Sequence, residues 1–204
     1  MEELFSVNEA AAIAEVSPET IRTAVEKKSV TPSYRHKSGK AVRYKFSESD
    51  VLFVKVLVEF PFSLSKEDKR SLAQVLAQGD KAAAHWSQQG TDLVYRAGET
   101  QVLVQCKSFR QTVAKNLATF RWGKKRIVSS PQILGGEPVF RGTRIPVAHV
   151  AALFRKGVPI GEIGEDFPHL RSRDLAYARL VSRLGQKPGR PRKRLTLERD
   201  LEAR

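Results

Sequence analysis

Residues 6–26, SVNEAAAIAEVSPETIRTAVE, decide how the first part of the chain folds. Ser6 stands three residues before Glu9, a spacing at which the two residues cap each other's backbone N–H at a helix start. Ser17 followed by Pro18 marks a second helix start, because proline at the first helical position loses no hydrogen bond. Apolar residues recur at helical spacing in both segments, so the stretch predicts two short helices joined by a tight turn.

The second of these helices has a polar outer face that contains Thr20, Arg22 and Thr23. Two short helices joined by a tight turn, with the second polar outside, are typical of a helix-turn-helix that binds DNA. We therefore expect these three side chains to approach base edges in the major groove.

A basic stretch follows, because residues 27–45 contain seven Lys or Arg residues and no acid. Within it, RHKSGKAVRYKF (35–46) predicts two strands around a turn at Ser38 and Gly39. We expect this hairpin to be a wing whose cations hold phosphates. The residues assigned to phosphate binding are Lys27, Arg35, Lys37, Lys40 and Arg43.

Ser47 and Asp50 repeat the capping spacing before VLFVKVLVEF (51–60), which favours a third helix, although its β-branched residues also suit a buried strand. Pro61 interrupts the apolar run, and a basic cluster ends at residue 126, so we place boundaries at these two points. The predicted regions are 1–60, 61–126 and 127–185, followed by a basic tail at 186–204.

The order of a SVNEAAAIAEV helix, a SPETIR helix, a GKAVRYKF hairpin and a SESDV helix resembles the winged helix-turn-helix of the MerR family over roughly the first 58 residues. The resemblance implies a DNA-binding winged helix. MerR proteins usually continue into a long dimerising coiled coil, and this chain departs from that pattern at PFSLSKEDKR (61–70).

The region 61–126 carries weaker patterns, which predict a helix over 64–77, a hairpin around Gly98 and a further helix over 109–120. Residues 107–126 again contain seven basic residues and no acid. This composition fits either a second phosphate-facing strip or an ordinary solvated helix face.

The most distinctive string is IVSSPQILGGEPVFRGTRIPVAHVAALFRKGVPIGEIGEDFPHL (127–170). Its Gly and Pro residues predict tight turns over 133–146 around a short strand at Val139 and Phe140. Three short helices follow, the last of them capped by Ser172, which predicts a small trihelical bundle.

The segments GGEPVFRGTRIPV (135–147) and GVPIGEIGEDFPHL (157–170) resemble the VapB-type antitoxins over about 55 residues. The resemblance implies a homeodomain-like trihelical fold and a partner toxin with a PIN-like ribonuclease domain of the VapC type. A MerR-like winged helix combined with this module is similar to the longer, two-domain VapB antitoxins.

Arg141 and Arg144 have two interpretations. Their guanidinium groups either pair with phosphates or with the carboxylates of a metal-dependent nuclease, or tie the turn by bonding backbone carbonyls or Glu137. The tail also leaves alternatives open: GRPRK (189–193) resembles the AT-hook core of the minor groove, its arginines can fill the toxin's acidic site, or the tail is a solvated end. The candidate toxin-binding residues are Arg141, Arg144, Arg190, Arg192 and Arg194.

A net charge of +14 over 204 residues favours a polyanion, and nucleic acid above all, as a partner. The longest apolar run, 51–58, is too short to span a bilayer, and the first residues lack the pattern of a secretion signal, so we expect a cytoplasmic protein. We expect Cys106, the single cysteine, to be a small buried side chain. Four scattered histidines, with no nucleotide-binding or hydrolase motif, predict no metal, no cofactor and no catalysis.

These patterns predict a mainly α (α+β) chain: a winged helix-turn-helix, a small mixed middle region and a trihelical C-terminal bundle. The expected function is that of a homodimeric antitoxin, which inhibits its ribonuclease toxin and represses its own operon by binding promoter DNA. The alternative is a stand-alone MerR-like regulator that senses an effector through 61–126, using Trp86 or Trp122. An RNA-binding accessory protein is less favoured, because Tyr44 is the only aromatic residue within the basic wing strand.

Overall fold

A computed structural model describes residues 3–38, 41–60, 63–79 and 85–184 of the chain. Across these ranges the chain forms eight α-helices and three small antiparallel sheets, so its fold is mixed α+β with helix predominating. Lys40, Arg190, Arg192, Arg194 and the rest of the tail at 186–204 lie outside the described residues.

The first third of the chain has the order helix, helix, hairpin, helix. Its elements are β1 (Phe5–Ser6), α1 (Val7–Ala14), α2 (Pro18–Glu26), β2 (Tyr34–Ser38), β3 (Ala41–Phe46) and α3 (Glu48–Glu59). The predicted capping pairs are present, because Ser6 and Glu9 cap each other at α1, and Ser17 accepts from the N–H of Thr20 at α2. The prediction of helix rather than strand for residues 51–59 is confirmed.

The three strands of this region form one sheet in the order β1-β3-β2. Ser38 pairs with Ala41, so β2 ends one residue later than predicted, and Ser38 belongs to the strand rather than to the turn. Strand β1 was not predicted, because a two-residue strand that pairs only through Phe5–Phe46 and Ser6–Lys45 leaves no periodic signal in the sequence.

The middle of the chain contains one more strand and a longer helix than predicted. Its elements are α4 (Lys66–Gln78), β4 (Trp86–Gln89), β5 (Asp92–Ala97), β6 (Thr100–Val104) and α5 (Lys107–Arg126). Helix α4 begins at Lys66 rather than residue 64, because Ser65 and Asp68 cap its start. Helix α5 extends beyond the predicted 109–120, because its basic last turn finds partners elsewhere in the fold.

The last part of the chain combines a two-stranded ribbon with three helices. Its elements are β7 (Ile127–Val128), a 3₁₀ turn (Leu134–Gly136), β8 (Val139–Phe140), α6 (Val147–Arg155), α7 (Ile160–Asp166) and α8 (Ser172–Ser182). Ser172 does not cap α8 as predicted, because it is the first helical residue. Instead the Asp174 carboxylate accepts the N–H of Arg171 at 3.0 Å.

Helix α5 connects the two ends of the chain, because it packs against α1, α3 and α8. Its buried face consists of Val113, Leu117, Phe120 and Gly123. The Phe120 ring lies 5.9 Å from that of Phe5 and 6.4 Å from that of Tyr177, so aromatic contacts run from β1 through α5 to α8. The hydrophobic core is therefore continuous across the boundary predicted at residue 126.

Candidate nucleic-acid and partner interfaces

The outer face of α2 carries three candidate DNA-binding side chains with different local partners. The hydroxyls of Ser17 and Thr20 are 2.8 Å apart, so Thr20 takes part in the helix cap. Arg22 lies 3.4 Å from Glu19 with both side chains at least half exposed, and such an ion pair contributes little and exchanges readily. Thr23 is half-buried. Arg22 is therefore the side chain of this set most available to a DNA base.

The chain leaves α2 through a left-handed turn that carries two cations. Lys28 has φ 55°, and the N–H groups of Ser29 and Val30 both donate to the carbonyl of Ala24. Lysine in this conformation costs about 1 kcal/mol relative to glycine. Lys27, another candidate, is exposed beside it, so the basic stretch starts at the end of α2.

The register of the β2–β3 hairpin divides its cations between two faces. His36 pairs with Arg43, and Arg35 pairs with Tyr44. Because directly paired residues share a face of an antiparallel ribbon, Arg35 and Lys37 lie on one face and Arg43 lies on the other. All three side chains are exposed. The sequence predicts that they form one phosphate-binding set, whereas the hairpin presents positive charge on both of its faces.

Asp50 fixes the hairpin to the start of α3. Its Oδ2 accepts the Ser33 hydroxyl at 2.6 Å and the Ser33 N–H at 3.1 Å, while also accepting the N–H of Ser47 at 2.9 Å. One face of the hairpin also meets the end of α2, since Arg35 and Tyr44 line the same groove as Val25. These contacts fix the position of the hairpin relative to α2 and α3.

The basic strip of α5 is largely used inside the fold. Arg121 donates to Glu3 at 2.7 Å and to Glu48 at 3.0 Å. Arg110 donates to the carbonyl of Thr91 at 2.9 Å. Lys124 lies 3.8 Å from both Glu3 and Glu9, and Arg126 lies 3.5 Å from Asp174. These four cations hold α5 in place, which argues against a phosphate-facing strip along the whole helix.

Glu15 links the turn of the helix-turn-helix candidate to the end of the chain. It has φ 58° immediately after α1, and its Oε1 accepts from Arg183 at 2.6 Å and from Asn116 at 3.2 Å. Burial raises the pKa of Glu15, but the hydrogen bonds from Arg183 and Asn116 outweigh burial and hold the pKa below its usual value. No local pattern predicts this contact, because its members are about 100 residues or more apart in the chain.

The turn that carries Arg141 and Arg144 is closed by the backbone and by Thr143. The Thr143 hydroxyl donates to the carbonyl of Phe140 at 2.9 Å and accepts the N–H of Ile145 at 3.1 Å. Both arginine side chains are exposed, and neither bonds a carbonyl or Glu137 within the described ranges. The local bonds that one of the two interpretations assigns to these guanidinium groups are therefore absent from the described part of the chain.

The two tryptophan side chains differ in how accessible they are to solvent. Trp86 is 2% exposed and packs against Phe60 and Tyr95, at ring-centroid distances of 5.7 and 5.0 Å. Trp122 is half-buried and lines a groove between α5 and α8, with Lys125 among the other lining residues. Trp122 is therefore the ring that an external molecule can reach.

The remaining titratable groups of the described ranges offer no metal centre. No set of three or more His, Cys, Asp or Glu side chains in these ranges is arranged to hold a metal ion. Cys106 is fully buried, as predicted, and burial raises the pKa of its thiol. No helix in the described part of the chain is long and apolar enough to cross a bilayer.

Comparison with known proteins places the most informative similarity at the C-terminal helices. Residues 127–179 match the family described as "Protein of unknown function (DUF433)". The chain is also 33% identical over 84 residues to the uncharacterized protein y4eO of Sinorhizobium fredii, an overlap of 41% of this chain and 38% of the relative. The chain thus spans little more than a third of the curated relative that it matches, and the family match begins where the third predicted region begins.

Proposed function

We propose that this chain is a DNA-binding antitoxin that inhibits a cognate PIN-like ribonuclease of the VapC type and represses its own operon. The observation that carries the DNA-binding half is the position of the polar face of α2 beside an exposed, acid-free hairpin. The resemblance of residues 135–147 to VapB-type antitoxins supports the nuclease-binding half, and the match of residues 127–179 to an uncharacterised family is compatible with it.

In the proposed complex with DNA, α2 enters the major groove and Arg22 reaches base edges. Each face of the hairpin then approaches a different set of phosphates: Arg35 and Lys37 contact those on one side of the hairpin, and Arg43 contacts those on the other side. A homodimer is expected, because helix-turn-helix proteins usually bind duplex DNA as dimers, with one half-site for each subunit.

In the proposed complex with the nuclease, Arg141 and Arg144 are the side chains best placed to meet acidic groups. A nuclease that holds catalytic metal ions has a carboxylate cluster, and a guanidinium offers a planar, bidentate donor to a carboxylate. Both arginines are exposed on a turn closed by hydrogen bonds, so little backbone freedom is lost on binding.

The DNA-binding half is tested by measuring affinity for the chain's own promoter fragment across a salt series. Neutralisation of about six phosphates gives a log–log slope of roughly −5. A scrambled duplex is the control, and it should bind more weakly at every salt concentration. A flat salt response, or equal affinity for both duplexes, would contradict the proposal.

The antitoxin half is tested by co-expression with the adjacent reading frame. We expect a stable complex with the product of that frame and relief of growth arrest. The double variant Arg141→Ala/Arg144→Ala should lose both, whereas Arg155→Ala/Lys156→Ala, which removes two exposed cations at the end of α6, should keep both. An inert neighbour that does not bind would remove the antitoxin role.

A second candidate function is a stand-alone regulator that senses an effector. The specific observation in its favour is the accessible Trp122 in the α5–α8 groove, whereas Trp86 is sequestered in the core. An inert neighbour together with promoter binding would favour this candidate.

A further inference from the structure

One stripe of α5 forms a groove wall with an aromatic ring at its centre. Lys115, Ala118, Thr119, Trp122 and Lys125 follow one another at steps of three or one residue and line the same groove. Because helical side chains tilt toward the helix N-terminus, the Trp122 indole lies over the turn that holds Ala118 and Thr119. These two small residues leave open space beside the ring.

The opposite wall comes from the start of α8. Arg173 is the second residue of that helix, and it lines the groove together with Trp122. The groove measures about 490 Å³, within the range of sites that take small organic ligands.

The cations of the groove are uncompensated, in contrast to the rest of α5. Lys115, Lys125 and Arg173 are exposed, and their side chains form no hydrogen bond or ion pair with the described part of the chain. Arg121 also lines the groove but already pairs with Glu3 and Glu48. Three free positive charges therefore surround one accessible aromatic ring, and no acidic residue of the described ranges lines the groove.

We propose that this groove binds a nucleoside di- or triphosphate, with the base stacked on Trp122 and the phosphates held by Lys125 and Arg173. An aromatic ring stacks on any base, and guanidinium and ammonium groups bind phosphate oxygens. Lys115 lies seven residues before Trp122, about 10 Å along the helix axis. At this distance its ammonium group can reach the sugar or an edge of the stacked base.

A nucleotide fits this arrangement better than a longer nucleic acid or a protein segment. Single-stranded nucleic acid binds to several stacking platforms in series, and among the described residues Trp122 is the only ring that lines the groove. The proposal does not depend on the antitoxin role, because none of the residues that line the groove belongs to α2 or to the turn at Arg141.

Calorimetric titration of the full chain with ATP, tripolyphosphate and adenosine tests the proposal. We expect saturable binding of ATP and weaker binding of the other two probes, because each supplies only half of the contacts. Trp122→Ala should weaken ATP binding by at least about fivefold and leave tripolyphosphate binding unchanged. Trp122→Phe keeps a stacking ring and should keep most of the affinity, which separates loss of the ring from loss of the fold.

Charge-reversal variants give the matched control. Arg173→Glu and Lys125→Glu should each weaken both ATP and tripolyphosphate by roughly tenfold. Lys107→Glu reverses an exposed charge at the start of the same helix but outside the groove, and it should change neither.

Three outcomes would overturn the proposal. One is the absence of saturable heat up to about 1 mM ATP. Another is binding of ATP that Trp122→Ala leaves unchanged, since this would reduce the groove to a general anion surface. The third is a single-stranded oligonucleotide that displaces ATP and binds far more tightly than it, because this would assign the groove to a nucleic-acid strand.

Discussion

Gly123 and Tyr177 bring α5 and α8 into direct contact: a Cβ placed on Gly123 would lie 2.0 Å from Cδ2 of the Tyr177 ring. The ring is 8% exposed and packs against the backbone of α5, and burial raises the pKa of its hydroxyl. No residue with a side chain fits at position 123 without displacing the Tyr177 ring or one of the helices. This contact fixes the spacing of the groove that holds Trp122.

The variant Gly123→Ala should lower the free energy of unfolding by about 1–3 kcal/mol, because overpacking outweighs the helix propensity that alanine adds. The measurement is urea unfolding followed by circular dichroism. Gly164→Ala in α7 is the matched control, since its Cβ would meet Leu175 at an ordinary 3.7 Å. That variant should be neutral or more stable by up to about 1 kcal/mol. Equal effects of the two substitutions would contradict the close packing of α5 and α8.

Asp174 is 1% exposed, and the guanidinium of Arg126, 3.5 Å away, supplies its countercharge. We expect Arg126→Met to cost about 1–3 kcal/mol, because it removes the nearby positive charge from a buried carboxylate to which Arg126 makes no hydrogen bond. Adding Asp174→Asn should restore part of that loss in the double variant. Thermal unfolding of the two single variants and the double variant checks this, and strict additivity would refute the pairing.

Asp68 joins α4 to the sheet of β4, β5 and β6, because it accepts from Ser65 and contacts His85 Nδ1 at 2.9 Å. The hydrogen bond from Ser65 is the main cause that holds the pKa of Asp68 below its usual value, with His85 and Tyr95 contributing further. The ionised carboxylate therefore stabilises the fold above the ordinary aspartate pKa, and this stability is lost as pH falls through the lowered value. We expect the melting temperature of the wild type to fall more steeply than that of Asp68→Asn as the pH is lowered below about 4, the ordinary aspartate pKa. Parallel slopes would show that Asp68 does not contribute.

Arg183 and Glu15 tie the end of α8 to the turn between α1 and α2 at 2.6 Å. Arg183→Ala should speed amide hydrogen exchange at residues 13–17 with little change in global stability, because the lost contact is local and partly exposed. Arg155→Ala, at the end of α6, is the control and should leave that segment unchanged. Exchange is followed by mass spectrometry of the corresponding peptides.

The two faces of the β2–β3 hairpin should contribute equally to DNA binding. Arg35→Gln and Arg43→Gln should each reduce the magnitude of the salt slope by about 0.9, because each removes one phosphate contact on its own side. Lys107→Gln removes a charge at the start of α5 and should not change the slope. A loss confined to one face would mean that the hairpin lies flat against DNA instead of entering a groove.

The sequence alone was sufficient where the signal is local. Capping pairs such as Ser6 with Glu9 and Ser47 with Asp50 set helix starts within the residues that form them, so these starts were predicted correctly. The short strand at Val139 and Phe140 was also predicted, because the prolines beside it fix φ and the glycines beside it allow the positive φ that tight turns need.

Tertiary structure decided what the basic residues do. Residues 107–126 look uniform as a sequence, yet Arg121 is paired with Glu3 and Glu48, while Lys125 is free beside Trp122. The same holds for Gly123. Only the packing of Tyr177 of α8 on this residue shows why a side chain is not tolerated there. Helix periodicity reports which face is buried, but the identity of a partner far along the chain depends on how the helices dock.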